Sequence, residues 1–313
     1  MTRQAENGNS PVGCGGSSPP RLFDRKGLRL HRRRAVAGFK AHDFLFREIA
    51  DRIDERLSEI NRSFTRALVL GNHGGIAANM VAARTAPDLL VQTDLAADLA
   101  SSGATPGPGL AVAADEEALP FAPQAFNLAV SVLGLHWVND LPGTLLQIRR
   151  SLGPDGLMLA AMMGGDSLHE LRHALIEAES AVEGGASPRV SPFVDVRTAG
   201  GLLQRAGFAL PMVDTDSFTV TYENAFALMK DLRGMGEANA LLDRRTTFTR
   251  RRTLLATAEA YHARHAGDDG RIPVTFDILY LTAWAPHESQ PRPLTPGTAK
   301  ASLTDMLGRK DDS

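Results

Sequence analysis

The side chains best suited to chemistry in this sequence fall just after apolar runs of strand length. Residues 67–70 lead into Gly71-Asn72-His73-Gly74-Gly75, where glycine lets a backbone approach a ligand and the N–H groups opening the next helix are free to bind it. Residues 89–92 lead to Asp94, with Leu95 beside it; a carboxylate there, roughly twenty residues past the glycine loop, accepts both hydroxyl protons of a ribose. Residues 110–113 lead to Asp115 and Glu116, acceptors suited to an adenine amine. Glycine in a tight strand-to-helix turn is explained by backbone geometry alone, but three strand ends of this character together describe an adenosine site. Gly71, Asn72, His73, Gly75, Asp94, Leu95, Asp115 and Glu116 are therefore the expected cofactor-binding residues. The run at 126–132 is followed by His136 and Trp137. As expected catalytic residues, His136 would accept a proton or orient the substrate, and Trp137 would form an apolar wall beside the reacting centre. The plainer reading is that both pack at a strand-to-helix junction.

Such a site needs a parallel sheet, because ligands bind at the carboxyl ends of its strands where the strand order reverses. The spacing supplies one. An Ala-rich helix starts near Gly75, a second helix covers 139–152 and is stopped by Gly153-Pro154-Asp155-Gly156, and a fifth strand covers 157–163. Further on, helices are predicted over 167–183 and 196–206, strands over 211–221 and 277–284, and helical segments over 225–232 and 253–262. Strands alternating with helices imply an α/β protein with both sheet faces covered. The expected fold is Rossmann-like: a seven-stranded, mostly parallel sheet with a helical cap over the ligand face and an N-terminal helix. Upstream, residues 21–34 crowd seven Lys/Arg residues and His31 around one acid, Asp24. Phe39, Phe44, Leu45, Ile49 and Ile53 follow at helical spacing, so the basic run leads into an amphipathic helix. It reads as a solvated helix face; the sharper alternative is a docking surface for an acidic protein partner.

Composition narrows the partners. A formal net charge of -2 on 313 residues argues against general nucleic-acid binding and for a small molecule or a protein. The single cysteine, Cys14, leaves no internal disulfide and no multi-cysteine zinc site, which suits a reducing compartment. No run approaches the roughly 18 apolar residues of a membrane span, and the first twenty residues carry neither a secretory core nor the amphipathic period of a transit peptide. The expected location is cytoplasmic. The segments expected are a disordered tail (1–20), a basic helical segment (21–62), the cofactor-binding core (63–165), the remainder of the sheet with its cap (166–288) and a Pro-rich C-terminal tail (289–313).

Other motifs compete. His169-Glu170-Leu171-Arg172-His173 fits the metalloprotease spacing in which two histidines one turn apart bind zinc, but Ile176 and Glu179 stand where its extended form needs Gly and His, so no metal site is expected. Arg172, Arg189 and Arg233 are candidates to bind a carboxylate, and Asp166 and Glu237 to bind a substrate guanidinium. Gly234-Met235-Gly236 reads as a loop able to close over a ligand.

The stretches Ala114-Asp-Glu-Glu-Ala-Leu-Pro-Phe121 and Leu135-His-Trp-Val-Asn-Asp-Leu-Pro142 resemble class I S-adenosylmethionine-dependent methyltransferases. Gly164-Gly-Asp-Ser-Leu-His-Glu-Leu-Arg172, Ser191-Pro-Phe193, Asp231-Leu-Arg-Gly-Met-Gly-Glu-Ala-Asn239 and His287-Glu-Ser-Gln-Pro-Arg-Pro293 narrow this to the methyltransferase-fold assembly factors of respiratory complex I and their bacterial relatives. A more distant similarity is to malonyl carrier-protein methyltransferases. The resemblance implies S-adenosylmethionine as cofactor and a protein substrate, an iron-sulfur subunit of complex I, with the protein held at the inner face of the membrane through that partner. It also implies a second chemistry, hydroxylation of an arginine in that subunit. The family's loop, acid-Leu-Gly-x-Gly-x-Gly, falls on Val69-Leu-Gly-Asn-His-Gly-Gly75: Val69 replaces the acid and His73 the middle glycine. These departures point to a third reading, a non-catalytic assembly chaperone with a degenerate cofactor loop.

Overall fold

A computed structural model describes residues 21–101 and 109–291; Cys14, the expected N-terminal tail and most of the expected C-terminal tail lie outside the described residues. Seven strands form one sheet: β1 (Arg66–Leu70), β2 (Leu89–Asp94), β3 (Gly109–Ala113), β4 (Phe126–Val132), β5 (Leu152–Met163), β6 (Ala209–Tyr222) and β7 (Ile272–Trp284). Their order is β3-β2-β1-β4-β5-β7-β6. The pairs β1·β2, β1·β4, β2·β3 and β4·β5 are parallel, and β7 runs antiparallel to both β5 and β6. The sequence order reverses at β1, so β1 and β4 flank the switch point where such a sheet opens for a ligand.

The strand side chains divide by alternation, as the two-residue period requires. Ala67 and Val69 face a core built with α2 (Phe44–Ser58), α3 (Ile76–Thr85), α6 (His169–Glu183), α8 (Ala225–Gly234) and α9 (Arg251–His265). Leu68 and Leu70 face the opposite core with α5 (Leu141–Ser151) and α7 (Val196–Arg205). The edge strand β6 alternates between half-buried and exposed, so only one of its faces is covered. The short α4 (Ala97–Ala100) follows β2.

Several boundaries move from the sequence expectation for local reasons. α5 begins two residues later than expected: Asp140 caps it by accepting the Gly143 N–H (2.9 Å), with Pro142 in the first turn. Asn139 instead accepts the N–H groups of Leu22 and Phe23 (2.7 Å each), tying the N-terminal segment to the end of β4. β5 begins at Leu152, through the expected stop signal, with an irregular register against β4 between Phe126 and Leu128. Of the periodic apolar set upstream, Phe39 sits in a short 3-10 turn and Phe44 is exposed; Leu45, Ile49 and Ile53 make the buried face of α2.

The basic run departs most from its reading. It forms a helix of its own, α1 (Arg25–Ala35), capped by Asp24, which accepts the Gly27 N–H at 2.9 Å. Its last turn carries Arg32, Arg33 and Arg34, a charge sign favourable at a helix C-terminus. Rather than facing solvent on all its basic residues, α1 lies over the strand ends with Leu28, Arg32 and Ala35 buried. α9 packs along α6 and its Tyr261 enters the sheet-face core. The chain that follows α8 contributes Ala240 and Leu241 to a small cluster with Phe23, Leu28 and Trp137.

Candidate active site

Beyond β1 the chain turns sharply. Gly71 and Gly75 have φ of +72° and +86°, values that glycine adopts without strain. Between them His73 holds φ +42° and turns its ring inward. The imidazole is 4.5 Å from the Phe46 ring, and its Nε2 lies 2.9 Å from where a Cβ on residue 71 would stand. Neither ring nitrogen has a hydrogen-bond partner among the described residues. Burial, reinforced by the charge of Arg32 and by His136, holds the imidazole pKa well below its ordinary value, so His73 is neutral. Asn72 fastens the loop: its N–H donates to Thr93 O (2.9 Å) and its side-chain amide to Leu99 O (2.9 Å). Val69, at the family's acidic position, points into the apolar core beneath α2 and α3, where a carboxylate would be stranded.

The strand-end acids meet cations from α1. Asp94 is fully buried; its Oδ1 accepts the Ala96 N–H at 3.0 Å and lies 3.6 Å from Arg32 Nη1. Burial pushes its carboxyl above the usual range despite the opposing charge of Arg32. Arg32 Nη1 also donates to Glu116 Oε1 (3.3 Å), and Arg25 Nη2 pairs with Glu116 Oε2 and with Asp115. Arg32 is 1% exposed. Burial acts to lower its pKa, but Asp94, Glu116 and Glu237 outweigh that, and the net shift is upward. Leu95 packs beside these pairs against the Phe23, Leu28 and Trp137 cluster.

Past β4, a 3-10 turn (Leu135–Trp137) places His136 and Trp137 side by side. Both reach one atom: His136 Nε2 stands 2.9 Å from Glu237 Oε2, and the Trp137 Nε1–H donates to the same oxygen. A carboxylate is an acceptor, so the imidazole Nε2–H donates and Nδ1 is the other nitrogen; Nδ1 and Glu237 Oε1 have no partner among the described residues. Glu237 then joins Trp137, Met163, Leu171, Phe193 and Leu232 in lining a pocket of about 260 Å³. The structure thus brings His136 and Trp137 together through Glu237.

The remaining candidates separate. Asp166 is exposed and outside the pocket lining. Arg172 donates to the carbonyls of Ser167 and Ser191, and Arg189 pairs with Glu179. Arg233 lines the pocket. Glu170 of the zinc-like motif accepts from Thr275 Oγ1 (2.6 Å) and N (3.2 Å), and no group of three or more metal-binding side chains occurs among the described residues. Arg25 and Arg32 escaped the sequence reading. The signal for them was present: Arg25, Leu28, Arg32 and Ala35 recur at three- and four-residue steps on one helix face.

Whether these residues suit an adenosine cofactor with an amino-acid end can be tested on their unsatisfied atoms. Asp94 Oδ2, Arg32 Nε and Nη2, both nitrogens of His73 and Ser131 Oγ are buried without hydrogen-bond partners among the described residues. Buried polar atoms are rarely left so, and a concentration of them marks a place for a polar ligand or ordered water. Asp94 offers an acceptor for ribose hydroxyls and Arg32 two donors for a carboxylate. At the ribose and amino-acid ends the residues fit such a group; Asp115 and Glu116, at the adenine end, are paired with Arg25.

Comparison with known proteins identifies the fold and the family. Residues 68–160 match the family model of a methyltransferase domain. The mitochondrial arginine-hydroxylase NDUFAF5 of Homo sapiens is 42% identical over 307 residues, covering 97% of this chain and 88% of that protein. Malonyl-[acyl-carrier protein] O-methyltransferase of Xylella fastidiosa (strain M23) is 32% identical over 270 residues, covering 85% and 89%. Among solved structures, a methyltransferase-type protein of Bacillus halodurans C-125 superposes with a TM-score of 0.54 at 14% identity, over 76% of this chain and 99% of that one. The fold is that of the class I methyltransferases.

Proposed function

We propose, from the premise that this chain belongs to the arginine-hydroxylase NDUFAF5 family, that it is an enzyme modifying an arginine of a protein substrate during assembly of respiratory complex I. The observation that carries this is the pocket at Glu237. Most of its lining is apolar, Arg189 and Arg233 also stand on it, and its carboxylate, Glu237, is buried with one oxygen unpartnered among the described residues; a buried carboxylate among apolar side chains is the complement of a side chain with a long aliphatic stem and a guanidinium head. His136 and Trp137 hold the other carboxylate oxygen, so Glu237 is aimed before substrate arrives. His136 is outside the pocket lining, so its role in this reading is to orient Glu237, with proton acceptance at Nδ1 as the alternative.

S-adenosylmethionine is the cofactor proposed, with Asp94 at its ribose, Asp115 and Glu116 at its adenine end and Arg32 at its carboxylate; bound there it supplies an electrophilic methyl group. Gly71 and Gly75 give the loop its close approach, and Leu95 borders the adenosine. Hydroxylation of the same arginine, the activity in the name of the 42% identical relative, is the second reading and uses the same pocket. The partner proposed is an iron-sulfur subunit of complex I, which would hold the protein at the cytoplasmic face of the membrane; no described helix is long and apolar enough to cross a membrane.

Intact-mass analysis of that subunit with and without the gene separates these readings: an added methyl group supports the first, an added oxygen the second. An unchanged mass, with the partner still bound, would leave only the chaperone reading. Glu237→Gln keeps the shape and removes the charge, so kcat/KM falls about 10- to 100-fold, the worth of one hydrogen bond to a charged group.

A further inference from the structure

Beside the acceptor pocket runs a larger surface groove of about 700 Å³, formed by the C-terminal end of α1, the end of α8 and residues 238–249. Arg34, Arg189, Lys230, Arg233, Arg244 and Arg245 line it, and among the described residues no aspartate or glutamate does. On a chain of net charge -2 that is a marked local excess of cation. Part of it is already matched: Arg244 pairs with Asp24 (2.7 Å), Arg245 with Glu183 (3.5 Å) and Arg189 with Glu179. Arg34, Lys230 and Arg233 are exposed and make no ion pair among the described residues. Phe248, 99% exposed, stands on the same wall, and a phenyl ring wholly in water is a large apolar contact awaiting a partner. The groove and the pocket share Arg189, Arg233 and Asn239, so a chain lying in one can place a side chain in the other.

We infer that this groove docks an acidic, extended segment of the protein substrate, with an apolar residue on Phe248, and so delivers the neighbouring side chain into the pocket at Glu237. A protein segment fits better than a nucleic acid, because the cationic surface is a short groove ending at a pocket sized for one side chain. Free carboxylates on the segment would pair with Arg34 on α1 and with Lys230 and Arg233 on α8, two separate parts of the wall, and so fix its direction. The inference rests on the proposed role of the pocket for what is delivered, but not for what the groove binds.

The test is fluorescence anisotropy with the full-length protein and three labelled synthetic peptides: one arginine flanked by aspartates and a leucine, the same peptide with asparagines for aspartates, and the acidic peptide with glutamine for arginine. The acidic arginine peptide should bind about tenfold more tightly than the asparagine one, as a few exposed ion pairs allow. Combined Arg34→Gln, Lys230→Gln and Arg233→Gln substitutions should erase that difference and most of the salt dependence. Phe248→Ala should weaken both leucine-bearing arginine peptides alike. Equal affinity for acidic and asparagine peptides, an unchanged preference in the triple variant, or full displacement by a single-stranded oligonucleotide of equal charge would overturn the inference. The glutamine peptide keeps the two readings apart. If it binds as well as the arginine peptide and the triple variant still abolishes binding, the groove stands and the pocket's preference for arginine falls. If Glu237→Gln discriminates the peptides and the triple variant does not, the pocket stands and the groove falls.

Discussion

Two neighbouring helices of the N-terminal segment reach the sheet by different means. α2 buries Leu45, Phe46, Ile49, Ile53 and Leu57 on the core beneath it, a contact that is non-directional and scales with apolar area. α1 buries only one large apolar side chain, Leu28, together with Arg32, and its place over the strand ends is fixed by guanidinium groups against Asp94, Asp115 and Glu116. An apolar face tolerates small shifts, whereas paired charges out of water need their partners in position. The contrast teaches that α1 belongs energetically to the site rather than to the core, and that its hold depends on the state of the cleft's own carboxylates.

The largest effect expected is at Arg32. Removing one partner of a buried charge cluster leaves the others uncompensated, so Arg32→Ala should cost about 3–5 kcal/mol in denaturant unfolding. Arg33→Ala, on the same helix but paired with Asp98 where both are well exposed, should stay within about 0.5 kcal/mol. If the two variants were equally mild, α1 would be held by something other than its buried charge. On α2, Ile49→Ala should cost about 2–5 kcal/mol through transfer and cavity terms, and native-state hydrogen exchange should rise across β1 and β4 with it. In the Arg32 variant, exchange should rise first in α1. Reversal of those two patterns breaks the comparison.

The same contrast explains what could be read in advance. The β4 run at 126–132 holds five apolar residues around Asn127 and Ser131, and the burial of all of them but the half-buried Asn127 is the physical reason its limits were legible; Asp94, Asp115 and His136 were singled out for standing just past such runs. α1 was misread because hydrophobic periodicity counts an arginine as a solvent marker, although Arg25, Leu28, Arg32 and Ala35 share one face. The carboxylate serving His136 and Trp137 is Glu237, 101 and 100 residues away. Sequence alone marked Glu237 as a candidate but could not say that the chain after α8 folds back to this turn, because that pairing is set by tertiary packing and leaves no local period.

His73 provides the smallest effect and the most selective one. Its folded-state pKa lies well below 6.5, from burial first and then from Arg32 and His136. In the unfolded chain it titrates near 6.5, so below that pH the unfolded state binds the extra proton and stability falls as pH falls, by up to about 1.4 kcal/mol per pH unit for one group. His31 and His265 are also lowered, chiefly by burial, and Asp94, raised by burial, works in the opposite sense at lower pH. His73→Asn isolates the one contribution, since asparagine tolerates the positive φ and does not titrate. The variant's stability plotted against pH from 7 to 5 should be flatter than the parent's by that amount, with the slope from the other groups left in both. Identical slopes would mean that the imidazole finds a partner when protonated, and a loop carrying a proton next to Arg32 would then have to be held open by the cleft rather than packed beneath α2.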